Sequence, residues 1–236
     1  MAGKLFSRPK FRISGDKMLL VEYGEGVNLE VNRKVHATAA RLRRRPPAGV
    51  EDVLPSYRSV AVIYNPLLTT LSELESAILR LEEISSALGW IPSPRTVEVP
   101  VCYSGHYGPD IGFVAETSGL TIQEIIALHA APSYHIYAIG FAPGFCYLGG
   151  LEPRLFAPRL KSPRAMVPAG SVGIAESQTG VYPLNSPGGW RIIGRTPLRL
   201  FAPERPEPFL YDAGDSIRFT SISAEDFEEI YRREKA

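Results

Sequence analysis

Gly140-Phe-Ala-Pro-Gly-Phe-Cys-Tyr-Leu-Gly-Gly150 opens the stretch that decides how this chain folds. It is followed by Val167-Pro-Ala-Gly-Ser-Val172, by Gln178-Thr-Gly-Val-Tyr-Pro183, and by Ser186-Pro-Gly-Gly-Trp-Arg-Ile-Ile-Gly-Arg-Thr-Pro197. Glycine permits positive φ and close backbone approach, while proline pre-sets a turn. Between these punctuation marks lie short apolar runs at residues 135–141, 171–175, 180–182, 190–193, 198–201 and 216–221. Brief strands separated by turn chemistry predict a closed or nearly closed, mainly-β barrel. Two short helices lead into it, over residues 110–117, with Asp110 as cap, and from the capping box Thr121-Ile-Gln-Glu124. A last helix follows it, capped by Ser223 and striped by Phe227, Ile230 and Tyr231.

Upstream the texture changes. Residues 10–14 and 18–23 read as strands around a Gly15-Asp16 turn. Residues 28–45 read as a helix, because Val31, Val35, Ala39 and Leu42 recur at helical spacing. Arg41 and Arg43-Arg-Arg45 crowd its last turn, where cations meet the negative end of the helix dipole, and Pro46-Pro47 stops it. Residues 50–54 and 59–64 read as a strand pair. A second helix starts at the capping box Thr70-Leu-Ser-Glu73, runs through Leu74, Ile78, Leu81, Ile84 and Leu88, and ends at Gly89. With residues 96–101 as a closing strand, the natural expectation is a ferredoxin-like α+β domain over residues 1–93. Trp90-Ile-Pro-Ser-Pro94 reads as the linker to the barrel domain, residues 94–236.

Composition narrows the function. Apolar content of 44%, charged content of 22% and net charge of +1 describe an ordinary globular protein, with no general pull toward nucleic acid or membrane. Met1 to Pro9 lacks the apolar stretch of a signal peptide, and no run has the length of a membrane span. Cys102 and Cys146 form neither a metal-ligand spacing nor a disulfide framework, so reduced thiols in a cytoplasmic protein are expected.

Charge is uneven, however. Between Pro153 and Pro203 stand Arg154, Arg159, Lys161, Arg164, Arg191, Arg195 and Arg199, against the single carboxylate of Glu176, a local excess of +6. Guanidinium forks match carboxylates and phosphates, so a small anion is the natural ligand; a solvated basic face or an acidic neighbouring subunit explains the same pattern. Phe141, Phe145, Tyr147, Tyr182 and Trp190 add flat apolar walls to the same loops, although glycines here also serve simply to turn barrel corners. Catalytic signatures are missing: no phosphate loop, no HExxH, no GxSxG and no dinucleotide fingerprint. His129, His135 and Cys146 read as structural, and Ser171 and Ser186 have no base at readable spacing. The sequence offers a binding surface without a self-sufficient catalytic machine.

At these residues the chain resembles the family of KipI, PxpB (the B component of 5-oxoprolinase) and allophanate hydrolase subunit 1. The matching runs are GFAPGFCYLGGL from Gly140, PRLKSPRAMVPAGSVGIA from Pro158, QTGVYP from Gln178 and SPGGWRIIGRTPLRLF from Ser186, with Tyr103-Ser-Gly-His-Tyr-Gly-Pro-Asp110 as the opening segment. Glu176-Ser177 depart from a common glycine pair, and Ala202 from a common aspartate. The resemblance implies a ferredoxin-like domain followed by a cyclophilin-like barrel, working with a sister barrel subunit of the KipA or PxpC type and with a PxpA-type subunit. The implied reaction is ATP-dependent hydrolysis of 5-oxo-L-proline to L-glutamate, with the ATP-binding subunit and the general base left open. In that reading Arg164 and Arg195 hold the small anionic substrate. Gln178, Thr179 and the backbone at Ser171 supply hydrogen bonds, and Phe145, Tyr147, Tyr182 and Trp190 exclude water. Two alternatives stand beside it: a KipI-type inhibitor of a sensor histidine kinase, and a carboxyltransferase-like subunit of urea metabolism.

Overall fold

The computed structural model describes residues 4–88 and 94–235. They gather into two compact units, divided between residues 93 and 94.

In the first unit the order is β1 (Leu5–Ile13), β2 (Met18–Gly24), α1 (Leu29–Arg44), β3 (Val50–Pro55), β4 (Ser59–Tyr64) and α2 (Leu71–Leu88). The strands form one antiparallel sheet in the order β1-β2-β4-β3. Alternate residues Leu19 and Val21 of β2, and Val60, Val62 and Tyr64 of β4, meet Val31, Val35, Ala39 and Leu42 of α1 and Leu74 and Ile78 of α2 in one core. The predicted helical stripe is thus the buried one. α1 begins where the Asn28 carboxamide accepts from the backbone N–H groups of Glu30 and Val31, at 2.8 and 3.1 Å. α2 begins at a reciprocal box, with Thr70 N–H donating to Glu73 at 2.8 Å and Glu73 N–H donating to Thr70 Oγ1 at 3.3 Å. The fully buried Asn32 ties α1 to the β3–β4 turn by donating to the carbonyls of Ser56 and Tyr57, at 3.1 and 3.0 Å.

One expectation is corrected here. Residues 96–101 do not close this sheet; the edge beside β2 belongs to β1, giving the order β-β-α-β-β-α. The Gly15 turn, with φ of 69°, and the bond from Ser14 N–H to the Met18 carbonyl at 2.9 Å make β1–β2 a local hairpin. Such a pairing closes only a short loop, so β1 takes the edge at little entropic cost. The expected end of α2 at Gly89 and the linker at Trp90–Ser93 lie outside the described residues.

The second unit runs β5 (Thr96–Val101), α3 (Ile111–Ser118), α4 (Ile122–Ala130), β6 (Ser133–Ile139), β7 (Cys146–Gly149), β8 (Arg164–Val167), β9 (Ser171–Ala175), β10 (Gln178–Val181), β11 (Ser186–Gly188), β12 (Arg191–Arg195), β13 (Ser216–Ser221) and α5 (Ala224–Lys235). Seven strands form a mixed sheet in the order β12-β9-β10-β7-β6-β13-β5, in which β13 and β5 run parallel and the other neighbours antiparallel. Its two edges meet where Cys102 and Arg195 exchange backbone hydrogen bonds, each 2.9 Å, so the sheet curls into a nearly closed barrel. Gly194 makes this seam possible. A Cβ there would lie 2.6 Å from Val101 Cγ1 and 3.0 Å from the Cys102 carbonyl.

Val99, Val101, Ile125, Tyr134, Ile136, Leu148, Val172, Ile174, Val181, Ile193, Ile217 and Phe219 fill the barrel core. α4 carries the predicted capping box, with Thr121 N–H bonded to Glu124 at 2.8 Å and Glu124 N–H to Thr121 Oγ1 at 3.2 Å. Ser223 caps α5 by accepting from Asp226 N–H at 3.0 Å. Residues 198–201, expected as a strand, contribute only an isolated bridge between Phe201 and Phe209. The ribbon of β8 and β11 was not anticipated. Among the described residues, no single helix is long and apolar enough to cross a membrane.

Candidate functional site

The aromatic residues of the glycine-rich loops come together, but on one another. Phe145, Tyr182 and Trp190 are buried in a cluster with Val167, Ala175 and Ile192. Their rings meet edge to face, with centroids 5.5 Å apart for Phe145–Tyr182, 5.6 Å for Phe145–Trp190 and 6.3 Å for Tyr182–Trp190. Tyr147 packs half-buried on the edge of Phe145 at 5.0 Å. Gly180 is small because Trp190 lies over it: a Cβ would sit 3.1 Å from the indole Cζ3. These rings form a second core. Phe141 is the exception, 69% exposed and held at a φ of 69°.

Thr179 lies deeper still. Its hydroxyl donates to the Gly173 carbonyl at 3.1 Å and contacts His129 Nε2 at 2.9 Å. One hydroxyl carries one proton, so Nε2 holds the hydrogen of the second bond, and Tyr103 O–H donates to Nδ1 at 2.8 Å. The imidazole stacks on Phe219 at 4.6 Å, and Tyr134 O–H donates to the His129 carbonyl at 2.9 Å. Burial pushes the His129 pKa down to about 3, so the ring is neutral. Thr179 is therefore a buried link of the barrel core. Ser171 is also buried, its amide bonded to the Pro168 carbonyl at 3.2 Å and its carbonyl to Tyr182 N–H at 2.9 Å. Gln178 is half-buried at the start of β10, facing Ala175 across the hairpin. Cys146 is sealed in, and burial raises its thiol pKa to about 11.

The basic excess is offset in part in three dimensions, where Arg154, Arg164 and Arg199 each meet a carboxylate. Arg164 Nη2 donates to Asp110 Oδ1 at 2.8 Å, and Nη1 reaches the Trp190 carbonyl at 3.4 Å. Asp110 Oδ2 accepts from Ile192 N–H at 2.7 Å. Asp110 does precede α3, but its carboxylate makes no capping bond to that helix. Arg154 pairs with Glu152 at 2.7 Å and Arg199 with Glu204 at 2.5 Å. Arg191 lies over the Phe113 ring at 3.5 Å and donates to the Pro158 carbonyl at 3.1 Å. Asp110, Glu152 and Glu204 all lie outside the segment from Pro153 to Pro203 that carries the excess.

Arg195 stands apart from Arg164. Its backbone closes the barrel seam, its Nε donates to the Ala169 carbonyl at 2.8 Å, and its guanidinium lies 5.9 Å from the rings of both Phe227 and Tyr231. Beside it is a hollow of about 370 Å³, walled by Pro183–Leu184, by Thr196–Arg199 and by Tyr231, Glu234 and Lys235 of α5. Of the nine residues expected to bind substrate, Arg195 alone lines it; Arg164 does not. Tyr231 and Lys235 were not anticipated: the first reads in sequence as part of an apolar stripe, and the second carries no signal of its own. Among the described residues, no cluster of three or more His, Cys, Asp or Glu side chains is placed to hold a metal ion.

A nearly closed mixed-sheet barrel with this loop chemistry defines a carboxyltransferase-type domain. The family model for the carboxyltransferase domain, subdomain C and D, matches residues 9–211. The chain belongs to that family and, within it, to the group of 5-oxoprolinase B components. It is 41% identical to the B component of 5-oxoprolinase from Bacillus subtilis, over 90% of this chain and 92% of that one. A conserved protein of Pyrococcus horikoshii is 42% identical, with a TM-score of 0.55 over 92% of this chain and 100% of that one. The urea amidolyase of Kluyveromyces lactis shares the fold, with a TM-score of 0.72 at 18% identity, over 96% of this chain and 15% of that one.

Proposed function

We propose that this chain is a barrel subunit of an ATP-dependent 5-oxoprolinase in the cytoplasm, hydrolysing 5-oxo-L-proline to L-glutamate with a sister barrel of the KipA or PxpC type and a PxpA-type subunit. The observation that carries the reading is the 41% identity to a 5-oxoprolinase B component over nearly the full length of both chains. In this reading the first unit is a ferredoxin-like domain whose fourth strand is supplied by β1, and the second is a cyclophilin-like barrel.

The chemistry of the barrel supports dependence on partners. His129 and Cys146 are enclosed in the core, one neutral and the other held as a thiol, so neither reaches a substrate. The chain carries no phosphate loop, and ATP use is assigned to the assembly. Arg164, Thr179 and the aromatic cluster shape the barrel, and the anion-binding role falls to Arg195.

The test is reconstitution. The purified chain is mixed with the sister and PxpA-type subunits of its own organism, and glutamate and ADP are measured with each component omitted in turn. The expected result is 5-oxoproline-dependent ATP hydrolysis in the complete mixture and none without this chain. Full activity in its absence would refute the assignment.

A further inference from the structure

The hollow beside the barrel seam combines features that point to a ligand of defined chemistry. Its cationic side chains are Arg195, Arg199 and Lys235, and its carboxylate is Glu234. Glu234 is already engaged, accepting from Arg205 Nη2 at 3.0 Å and from the Arg199 backbone N–H at 3.2 Å. Arg199 is likewise taken by Glu204. Arg195 spends Nε on the Ala169 carbonyl, which anchors its guanidinium without neutralising it. Lys235 Nζ lies 4.5 Å from the centre of the Tyr231 ring, and the Arg195 guanidinium lies 5.9 Å from the same ring. The hydrogen bond from Lys235, then its charge and that of Arg195, lower the pKa of the Tyr231 phenol, the response expected of a positive field. Facing these groups, Pro183, Leu184 and Leu198 supply apolar surface.

We infer that this hollow binds a small carboxylate carried on a compact apolar or amide ring, with Arg195 and Lys235 on the carboxylate and the Pro183–Leu184 wall against the ring. The inference deepens the proposed function by placing the carboxylate of 5-oxo-L-proline, and it rests on that reading for the choice of ligand. A planar carboxylate offers two oxygens to two separated cations, and an amide ring fits a wall that mixes proline rings with leucine side chains. The volume of about 370 Å³ leaves room beyond a five-membered ring for a second reactant or a partner's side chain. α5 thereby gains a role that packing alone does not require. Phe227 anchors it in a small core with Cys102 and Tyr107, while its last turn presents Tyr231 and Lys235 to the ligand.

The test uses the full chain alone, so that it is independent of turnover by the assembly. 5-Oxo-L-proline is titrated into isotopically labelled protein at low ionic strength, with 2-pyrrolidinone, which lacks the carboxylate, and inorganic phosphate as parallel probes. The acid is expected to shift the amide resonances of residues 195–199 and 231–235 saturably, and 2-pyrrolidinone to shift none of them. Lys235→Met, in the last turn of α5, is expected to weaken binding by about tenfold, the loss of one charge-assisted hydrogen bond at a half-open site. Arg195→Lys, which keeps the charge but loses the fork, is expected to weaken it as well, with the native spectrum of the barrel core confirming the fold. Phosphate binding as tightly as the acid would overturn the inference, as would saturable shifts confined to other surfaces. If the chain binds no acid while the reconstituted complex hydrolyses it, this placement is wrong and the proposed function stands. Binding here without turnover in the complex would instead uphold the placement and sink the proposed function.

Discussion

Replacing Thr179 by valine separates two roles that the sequence alone left together. The substitution keeps the shape and removes only the hydroxyl, which donates to the Gly173 carbonyl and accepts from His129 Nε2. Both partners lie in the barrel interior, where His129 is fully buried. A buried N–H left without an acceptor costs about 1–3 kcal/mol, and the lost bond to Gly173 adds to this, so a net loss of about 2–4 kcal/mol is expected. Against a typical total of about 5–15 kcal/mol, that is a large fraction of a domain's stability. Urea unfolding followed by tyrosine and tryptophan fluorescence measures it directly. A double-mutant cycle with His129→Phe, which retains a ring against Phe219, isolates the coupling. The reasoning is refuted if Thr179→Val leaves the urea midpoint unchanged while the reconstituted complex loses affinity for 5-oxoproline, because Thr179 would then face substrate.

The same histidine predicts an acid response. Its folded-state pKa of about 3 lies below the ordinary value of 6.5, so between these pH values the unfolded chain binds a proton that the folded chain does not. This contribution to stability is complete above pH 6.5 and declines on acidification with a limiting slope of about 1.4 kcal/mol per pH unit, until His129 charges in the folded state as well. His129→Phe is expected to flatten that slope in denaturant midpoints measured across the range. Asp110→Ala is expected to destabilise the barrel by about 2–3 kcal/mol, since it strands the Ile192 N–H and unpairs Arg164; an unchanged melting temperature would contradict this. Glu176 opens the two-residue β9–β10 loop at a φ of 51°, where a side chain is strained. Glu176→Gly is expected to raise stability by about 1 kcal/mol, read as a higher urea midpoint.

Local signals in the sequence carried a good deal of this structure. The Thr70–Glu73 and Thr121–Glu124 boxes and the Val31–Val35–Ala39–Leu42 stripe each depend on residues within a turn or two, and each is found as expected. What escaped was non-local. Thr96 pairs with Ser216 and Val101 with Ser221, across 120 residues, and nothing in a six-residue strand announces so distant a neighbour. The arginine excess is smaller in space than along the chain for a related reason, because Asp110 crosses 54 residues to meet Arg164. The aromatics of the glycine-rich loops were read as the walls of a cavity, whereas each ring uses the others as its wall. The hollow at Arg195 was half legible: the guanidinium was singled out, but its companions on α5 come from the far end of the chain.

The parallel pairing of β5 with β13 sets a schedule for synthesis. β5 emerges from the ribosome directly after the first unit, yet its ladder partner is translated 120 residues later. Until then, one flank of β5 waits for its neighbour, and the Cys102–Arg195 seam has nothing to brace it on that side. The first unit, whose hairpins are all short-range, is free to fold during translation, whereas the barrel matures only once the C-terminal strand is released. A chain cut short before Ser216 would thus yield a finished first unit joined to an open, adhesive sheet.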